Sequence, residues 1–146
     1  MNFERIRYLR EEQELTQKDM ANILGVTRSA YSLWEINKNT IPLQKLNDLC
    51  NYFNTSMDYI INRNNDLNTN KNFVKKNLDK KEIGIRIKQT RKKMNYTQEK
   101  LAAILNTTHS AISAYENGNT MIPTLFLIEI VKLSNVSMDW ICGRTE

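Results

Sequence analysis

Residues 16–35 read Thr16-Gln17-Lys18-Asp19-Met20-Ala21-Asn22-Ile23-Leu24-Gly25-Val26-Thr27-Arg28-Ser29-Ala30-Tyr31-Ser32-Leu33-Trp34-Glu35. Thr16 suits an N-cap, and Asp19 follows at N3, where a carboxylate complements the helix dipole. Met20, Ala21, Ile23 and Leu24 then form the apolar side of a helix. Gly25 punctuates it, and Thr27 caps a second helix whose inward residues are Ala30, Tyr31 and Trp34. Two short helices joined by a tight turn set the frame for the rest of the chain.

The pattern returns from Thr97 to Glu116, an offset of 81 positions. With that offset Asn2 to Arg63 aligns with Ile83 to Arg144 without a gap, and roughly a third of the pairs are identical. Thr16-Gln17, Ser29-Ala30-x-Ser32, Ile41-Pro42 and Ser56-Met57-Asp58 recur as Thr97-Gln98, Ser110-Ala111-x-Ser113, Ile122-Pro123 and Ser137-Met138-Asp139. A unit of about 62 residues is longer than the roughly 20–50 residues of stacking repeats and can be a small self-contained domain. The chain therefore divides into a first copy over 1–63, a linker over 64–80 and a second copy over 81–146.

Around the central pair, each copy predicts three more helices. Phe3, Ile6 and Leu9 or Arg10 begin the first; Pro42 sits at the first position of the fourth, with Leu43, Leu46, Leu49, Cys50 and Phe53 inward. Ser56 caps a short fifth from Met57 to Ile61. In the second copy Asp79 and Glu82 resemble a capping box opening a helix through Ile83, Ile87 and Met94, and Thr97, Thr108, Pro123 and Ser137 mark the later starts. Gly25 and Asn106 trade places with Asn37 and Gly118 after the second and third helices, so both positions should need positive φ. Asn64 to Lys80 reads as a linker with Phe73, Val74 and Leu78 as docking points. As a coil its roughly 17 residues span about 21–25 Å.

The net charge is +5, and it is unevenly placed. Residues 1–63 hold 8 Lys/Arg against 8 Asp/Glu, residues 64–80 hold 4 against 2, and residues 81–146 hold 9 against 6. Glu11, Glu12 and Glu14 stand where the second copy has Lys92, Lys93 and Asn95. The excess fits a polyanionic partner, met mainly through the second copy. No apolar run approaches the roughly 18 residues of a membrane span, and Met1-Asn2-Phe3-Glu4-Arg5 lacks a signal-peptide layout. Cys50 and Cys142 fall at non-equivalent positions and read as buried thiols in a reducing cytoplasm. Asn54-Thr55-Ser56 matches a glycosylation sequon but reads as a helix cap.

Leu15-Thr16-Gln17, Ala21, Ile23-Leu24-Gly25, the Ser-Ala-x-Ser-x-aromatic-Glu of each third helix, and the endings Met57-Asp58-Tyr59-Ile60-Ile61 and Met138-Asp139-Trp140-Ile141 carry a resemblance. Each copy, over nearly its whole length, resembles the helix-turn-helix of the phage repressor and Cro family of bacterial DNA-binding domains. The resemblance implies an all-α protein with two five-helix lambda-repressor-like domains. It implies a sequence-specific double-stranded DNA-binding transcription regulator, a repressor, with recognition helices 28–36 and 109–117 in the major groove.

With Tyr31 and Trp34 inward, helical spacing turns Arg28, Ser29, Ser32 and Leu33 outward, and likewise His109, Ser110, Ser113 and Ala114. Arg28 can fork onto guanine, the serines can bond bases or phosphates, and Leu33 or Ala114 can touch a thymine methyl. By family analogy Gln17 and Gln98 meet a phosphate at the start of the second helix. Arg10, Arg91, Lys38 and Asn119 are expected as further backbone contacts.

Blander assignments stand beside these. Trp34 and Tyr115 read as core anchors rather than stacking platforms, while Tyr59 and Trp140 fit either the core or an interface. His109 is the one histidine, so no His-based metal site or relay is expected. The Lys75-Lys76 and Lys80-Lys81 pairs read chiefly as solvated linker. No phosphate-cradling Gly-rich loop, CxxC or catalytic signature is present, so neither enzyme activity nor a cofactor is expected, and no small-molecule ligand or membrane partner. The alternative is an interaction protein, of antitoxin or adaptor type, in which one copy, more naturally the first, mediates dimerisation or partner docking. A homodimer is a second way to pair reading heads, since half-sites lie about 34–36 Å apart and the extended linker reaches about 56–61 Å.

Overall fold

The structure, a computed structural model, describes residues 3–63 and 73–145. Within them lie α1 (Glu4–Glu12), α2 (Gln17–Leu24), α3 (Arg28–Glu35), α4 (Leu43–Phe53) and α5 (Met57–Ile60), then α6 (Lys80–Lys93), α7 (Gln98–Ile104), α8 (His109–Glu116), α9 (Thr124–Ser134) and α10 (Met138–Ile141). No strand occurs among the described residues. Each helix is followed within two residues by one of left-handed backbone: Glu14, Gly25, Asn37, Asn54 and Asn62, then Asn95, Asn106, Gly118, Asn135 and Gly143. The two sets correspond one to one at the repeat offset. Only Gly and Asn tolerate this region readily, which explains the Gly/Asn exchange seen at 25/106 and 37/118 and extends it to 62/143.

The residue after most of these turns donates its N–H back to the last turn of the helix, as Val26 does to the Ala21 carbonyl and Thr107 to that of Ala102, both at 2.9 Å. At the other ends, Thr16, Thr27, Ser56, Thr97, Thr108 and Ser137 each accept the N3 amide with their hydroxyls. Asp19 returns a bond to the Thr16 amide at 2.8 Å, completing a capping box. The box expected at Asp79 and Glu82 does not form. Asp79 accepts from Lys81 N–H, while Glu82 turns to the nearer cations Lys76 and Arg86, each at 3.3 Å. Pro42 and Pro123 stand at the N-cap, one position earlier than expected, with extended ψ of 146° and 143°.

The chain divides between Phe73 and Val74 into two compact units, hereafter the first and second domains. In the first, Ile6, Met20, Leu24, Tyr31, Trp34, Ile41, Leu46, Leu49, Met57 and Ile60 are buried; Ile87, Leu101, Leu105, Ile112, Tyr115, Ile122, Leu127, Ile130, Met138 and Ile141 fill the equivalent places in the second. Burying such a set is what stabilises helices too short to persist alone. Ile23 and Ile104 depart from expectation: each is about two-fifths exposed on the outer face of α2 or α7. Cys50 and Cys142 are buried free thiols.

Arg5 lies 4.3 Å from the Tyr59 ring centroid and donates to the Tyr59 carbonyl at 2.6 Å. Arg86 repeats the arrangement on Trp140. Tyr59 is a core residue, and Trp140 is half-buried. The second domain also starts earlier than expected. Val74 N–H donates to the Arg144 carbonyl at 2.9 Å, so the end of the expected linker belongs to this domain, while 64–72 lie outside the described residues. Of the expected docking residues, Phe73 is buried, Leu78 half-buried and Val74 exposed. Gly84 takes the place of Phe3; a Cβ there would stand 2.5 Å from the Tyr115 carbonyl oxygen, so α6 passes directly against the end of α8.

Candidate nucleic-acid interface

Within each domain the second helix packs across the third, and the third exposes one face. On α3, Tyr31, Trp34 and Glu35 are buried, Arg28 and Ser29 exposed, and Ser32 and Leu33 half-buried. On α8, Ile112, Tyr115 and Glu116 are buried, His109 and Ser110 exposed, and Ser113 and Ala114 half-buried. Each expected reading residue thus stands on one outward strip. The 3.6 residue period places Ile36, immediately after α3, in the middle of that strip, and it is 59% exposed. Asn117 is its equivalent, donating to Ser113 Oγ at 3.3 Å. Lys38 and Asn119 follow, both exposed. Arg28 and Lys38 have no ion-pair partner among the described residues.

Behind each strip lies a buried ionic network that sequence reasoning did not foresee. Arg10 Nε donates to Glu35 Oε1 at 2.6 Å, its Nη2 to Glu35 Oε2 at 3.2 Å, and its Nη1 to the Leu15 carbonyl at 2.7 Å. Arg91 is held the same way by Glu116, at 2.7 and 2.9 Å, and by the Tyr96 carbonyl at 2.8 Å. Arg10 and Arg91, expected as contacts to the DNA backbone, are thus each held by a glutamate and a main-chain carbonyl of their own domain. Both are buried, Arg10 Nη2 also lies 3.8 Å from the exposed Glu11, and pulling either arginine out would strand a buried carboxylate. A signal was present in the repeat, since an Arg and a Glu 25 residues apart recur in both copies.

The network reaches the surface through the glutamines. Gln17 Nε2 donates to Glu35 Oε2 at 2.8 Å, and Gln98 Nε2 to Glu116 Oε1 at 3.3 Å. One amide hydrogen of each half-buried glutamine is thereby fixed, and the other stays available to an acceptor outside. Tyr31 OH adds a bond to Glu35 at 2.9 Å, where the second domain has the apolar Ile112. Burial works against the Glu35 carboxylate, but the bonds from Arg10, Gln17 and Tyr31 together outweigh it and hold its pKa below the ordinary value. Burial, and then the Glu35 charge, push the Tyr31 hydroxyl well up, so it remains a donor.

The strips are not chemically alike. Ser32 Oγ donates to the Ser29 carbonyl at 2.9 Å and so offers acceptor lone pairs, whereas Ser113 Oγ accepts from Asn117 and keeps its hydrogen for an outside acceptor. Glu11 pairs with Arg7 at 2.8 Å near the end of α1, while Lys92 and Lys93 end α6 exposed and without ion-pair partners among the described residues. Among those residues there is no His/Cys/Asp/Glu group able to hold a metal, and no helix long and apolar enough to cross a membrane.

Such a duplicated two-helix unit, with an outward strip on its second helix, defines the class. A family model described as Helix-turn-helix matches residues 6–60 and again 87–141, and the chain belongs to this helix-turn-helix family, with the domain present twice. It is similar to three HTH-type transcriptional regulators of Bacillus subtilis (strain 168). The uncharacterized YqaE is 33% identical over 58 residues, covering 40% of this chain and 50% of the relative. The uncharacterized YobD is 33% identical over 66 residues, 45% and 59% of the two chains. ImmR is 36% identical over 64 residues, 44% and 50%. The chain spans about half the length of the curated relatives it matches. No solved structure matches.

Proposed function

We propose that the chain is a sequence-specific double-stranded DNA-binding transcription repressor that sets α3 and α8 in the major groove of two non-identical half-sites. The observation that carries this is the pairing of each exposed strip with a buried Arg–Glu–Gln network. A helix fits the major groove and reads bases from near its N-terminus, where Arg28, Ser29, His109 and Ser110 stand. Gln17 and Gln98, held at one amide hydrogen, are preorganised for a phosphate oxygen. Lys38 and Asn119 flank the same surface and take the role of further backbone contacts. Nothing in this reading calls for catalysis or a cofactor.

A second reading is supported by the first domain alone. Its charge balances to zero, and Ile36 places an exposed aliphatic group where the second domain has Asn117. Both suit a protein surface, making the first domain a docking or dimerisation module beside a DNA-binding second domain. Arg28→Ala separates the two readings. As a base contact its loss weakens binding to the preferred duplex by roughly 1–3 kcal/mol and relaxes one base position. Equal weakening on every sequence makes Arg28 a phosphate contact, and unchanged binding favours the docking module.

A further inference from the structure

The first residues of α3 and α8 differ in kind: Arg28 is permanently charged, whereas His109 is the sole histidine of the sequence. The imidazole is held in place. His109 Nε2 lies 2.6 Å from Gln98 Oε1, and the Gln98 amide is oriented by its donation to Glu116. Because Gln98 must present nitrogen to Glu116, it presents oxygen to the imidazole, and His109 Nε2 carries the hydrogen of that bond. Only the state of Nδ1 is left to vary: a lone pair in the neutral ring, an N–H in the imidazolium.

The charged surroundings of Nδ1 come from both helices packed on α8. From α7, Glu99 Oε1 lies 3.9 Å away, and both side chains are more than half exposed. From α6, Arg91 stands behind Gln98 with its charge met by Glu116 of α8 itself. The ring therefore sits on the exposed strip with Nε2 tied to the buried network and Nδ1 beside the exposed Glu99 carboxylate. Imidazoles as a class change charge between about pH 5 and 8.

We propose that His109 is a proton-linked DNA contact: the second domain takes up one proton from solvent at Nδ1 as it engages the duplex. Neutral, Nδ1 can only accept a hydrogen bond and meets the lone pairs of phosphate and guanine with its own. Protonated, it donates to a phosphate oxygen or to guanine O6 or N7, and the polyanion favours the charged form. The first domain has no counterpart, since Arg28 stays charged. The balance between the two heads then shifts toward the second as pH falls. This rests on the DNA-binding reading above.

The test is equilibrium binding of the full chain to a mixed-sequence duplex at fixed ionic strength, at about pH 6 and about pH 8. The expected affinity is higher at the lower pH, with a dependence approaching about tenfold per pH unit for one linked proton. The salt dependence steepens at the lower pH by about 0.9 in log–log slope, one phosphate's worth. His109→Gln removes both effects, and Arg28→Gln keeps them. Binding that is flat with pH overturns the proposal, as does an unchanged pH dependence in His109→Gln. A variant weakened equally at both pH values assigns His109 a merely structural role and also overturns it. Absence of binding to any duplex at either pH defeats the DNA-binding reading itself, and the proposal with it.

Discussion

At Glu35 two effects oppose each other. Burial penalises the charge, and hydrogen bonds from three partners, Arg10, Gln17 and Tyr31, more than compensate. The folded carboxylate thus titrates below the roughly 4.3 of an unfolded glutamate. The stability it contributes is fully present above that value and is lost as pH falls through the folded value. Glu35→Gln removes this acid sensitivity from the first domain, and by leaving Arg10 only the exposed Glu11 at 3.8 Å as a counter-charge it costs roughly 3 kcal/mol at neutral pH. Tyr31→Phe should cost only about 1 kcal/mol, since the second domain keeps its network with Ile112 in that place. Urea unfolding followed through Trp34 fluorescence, in a Trp140→Phe background, measures both. An equal loss for the two variants would show that the hydroxyl, not the ion pair, organises the site. Arg10 also marks what residue-scale reading misses, a buried ion pair. As one of three arginines on an amphipathic helix, Arg10 looks like a surface cation. Its partner Glu35 lies far along the chain, and only the recurrence of both residues in the second copy hints at their union.

The helices were legible where local chemistry sets them. Thr and Ser caps, the Gly/Asn exchange after α2 and α3, and the inward Tyr31 and Trp34 follow from backbone needs that act within a few residues. Less legible were features fixed by packing from afar: the exposure of Ile23 and Ile104, the diversion of Glu82 to Lys76 and Arg86, and the passage of α6 over α8 at Gly84. The repeat also supplies an element-scale prediction. Glu14 holds a left-handed conformation, φ 56°, that suits Asn or Gly, and the second copy has Asn95 there with φ 61°. Glu14 also adds negative charge just past the C-terminal end of α1, where Glu11 and Glu12 already oppose the helix dipole. Glu14→Asn is therefore expected to stabilise the first domain by about 0.5–1 kcal/mol. It should move the denaturation midpoint upward without altering the m-value. A lower midpoint would mean that Glu14 makes a stabilising contact of its own.

Across the whole molecule, the duplication keeps the scaffold and varies the surface. Cores, caps, left-handed turns and the buried Arg–Glu–Gln network correspond between domains. The reading strips differ at Arg28/His109, Leu33/Ala114 and Ile36/Asn117, and the positive charge gathers outside the first domain. The fold and the outward strips could be read from the sequence because each copy tests the other. The task of each strip could not be, because base recognition depends on a partner whose sequence the chain does not encode. If both domains read DNA as proposed, two unlike heads in one polypeptide call for an operator with two unlike halves. Selection of bound sequences from a pool of random duplexes by the full chain tests this most directly. The expected result is an enriched site with two dissimilar halves, one of which loses its enrichment in Arg28→Ala and the other in His109→Ala. A symmetric site, or no enrichment at all, would contradict it.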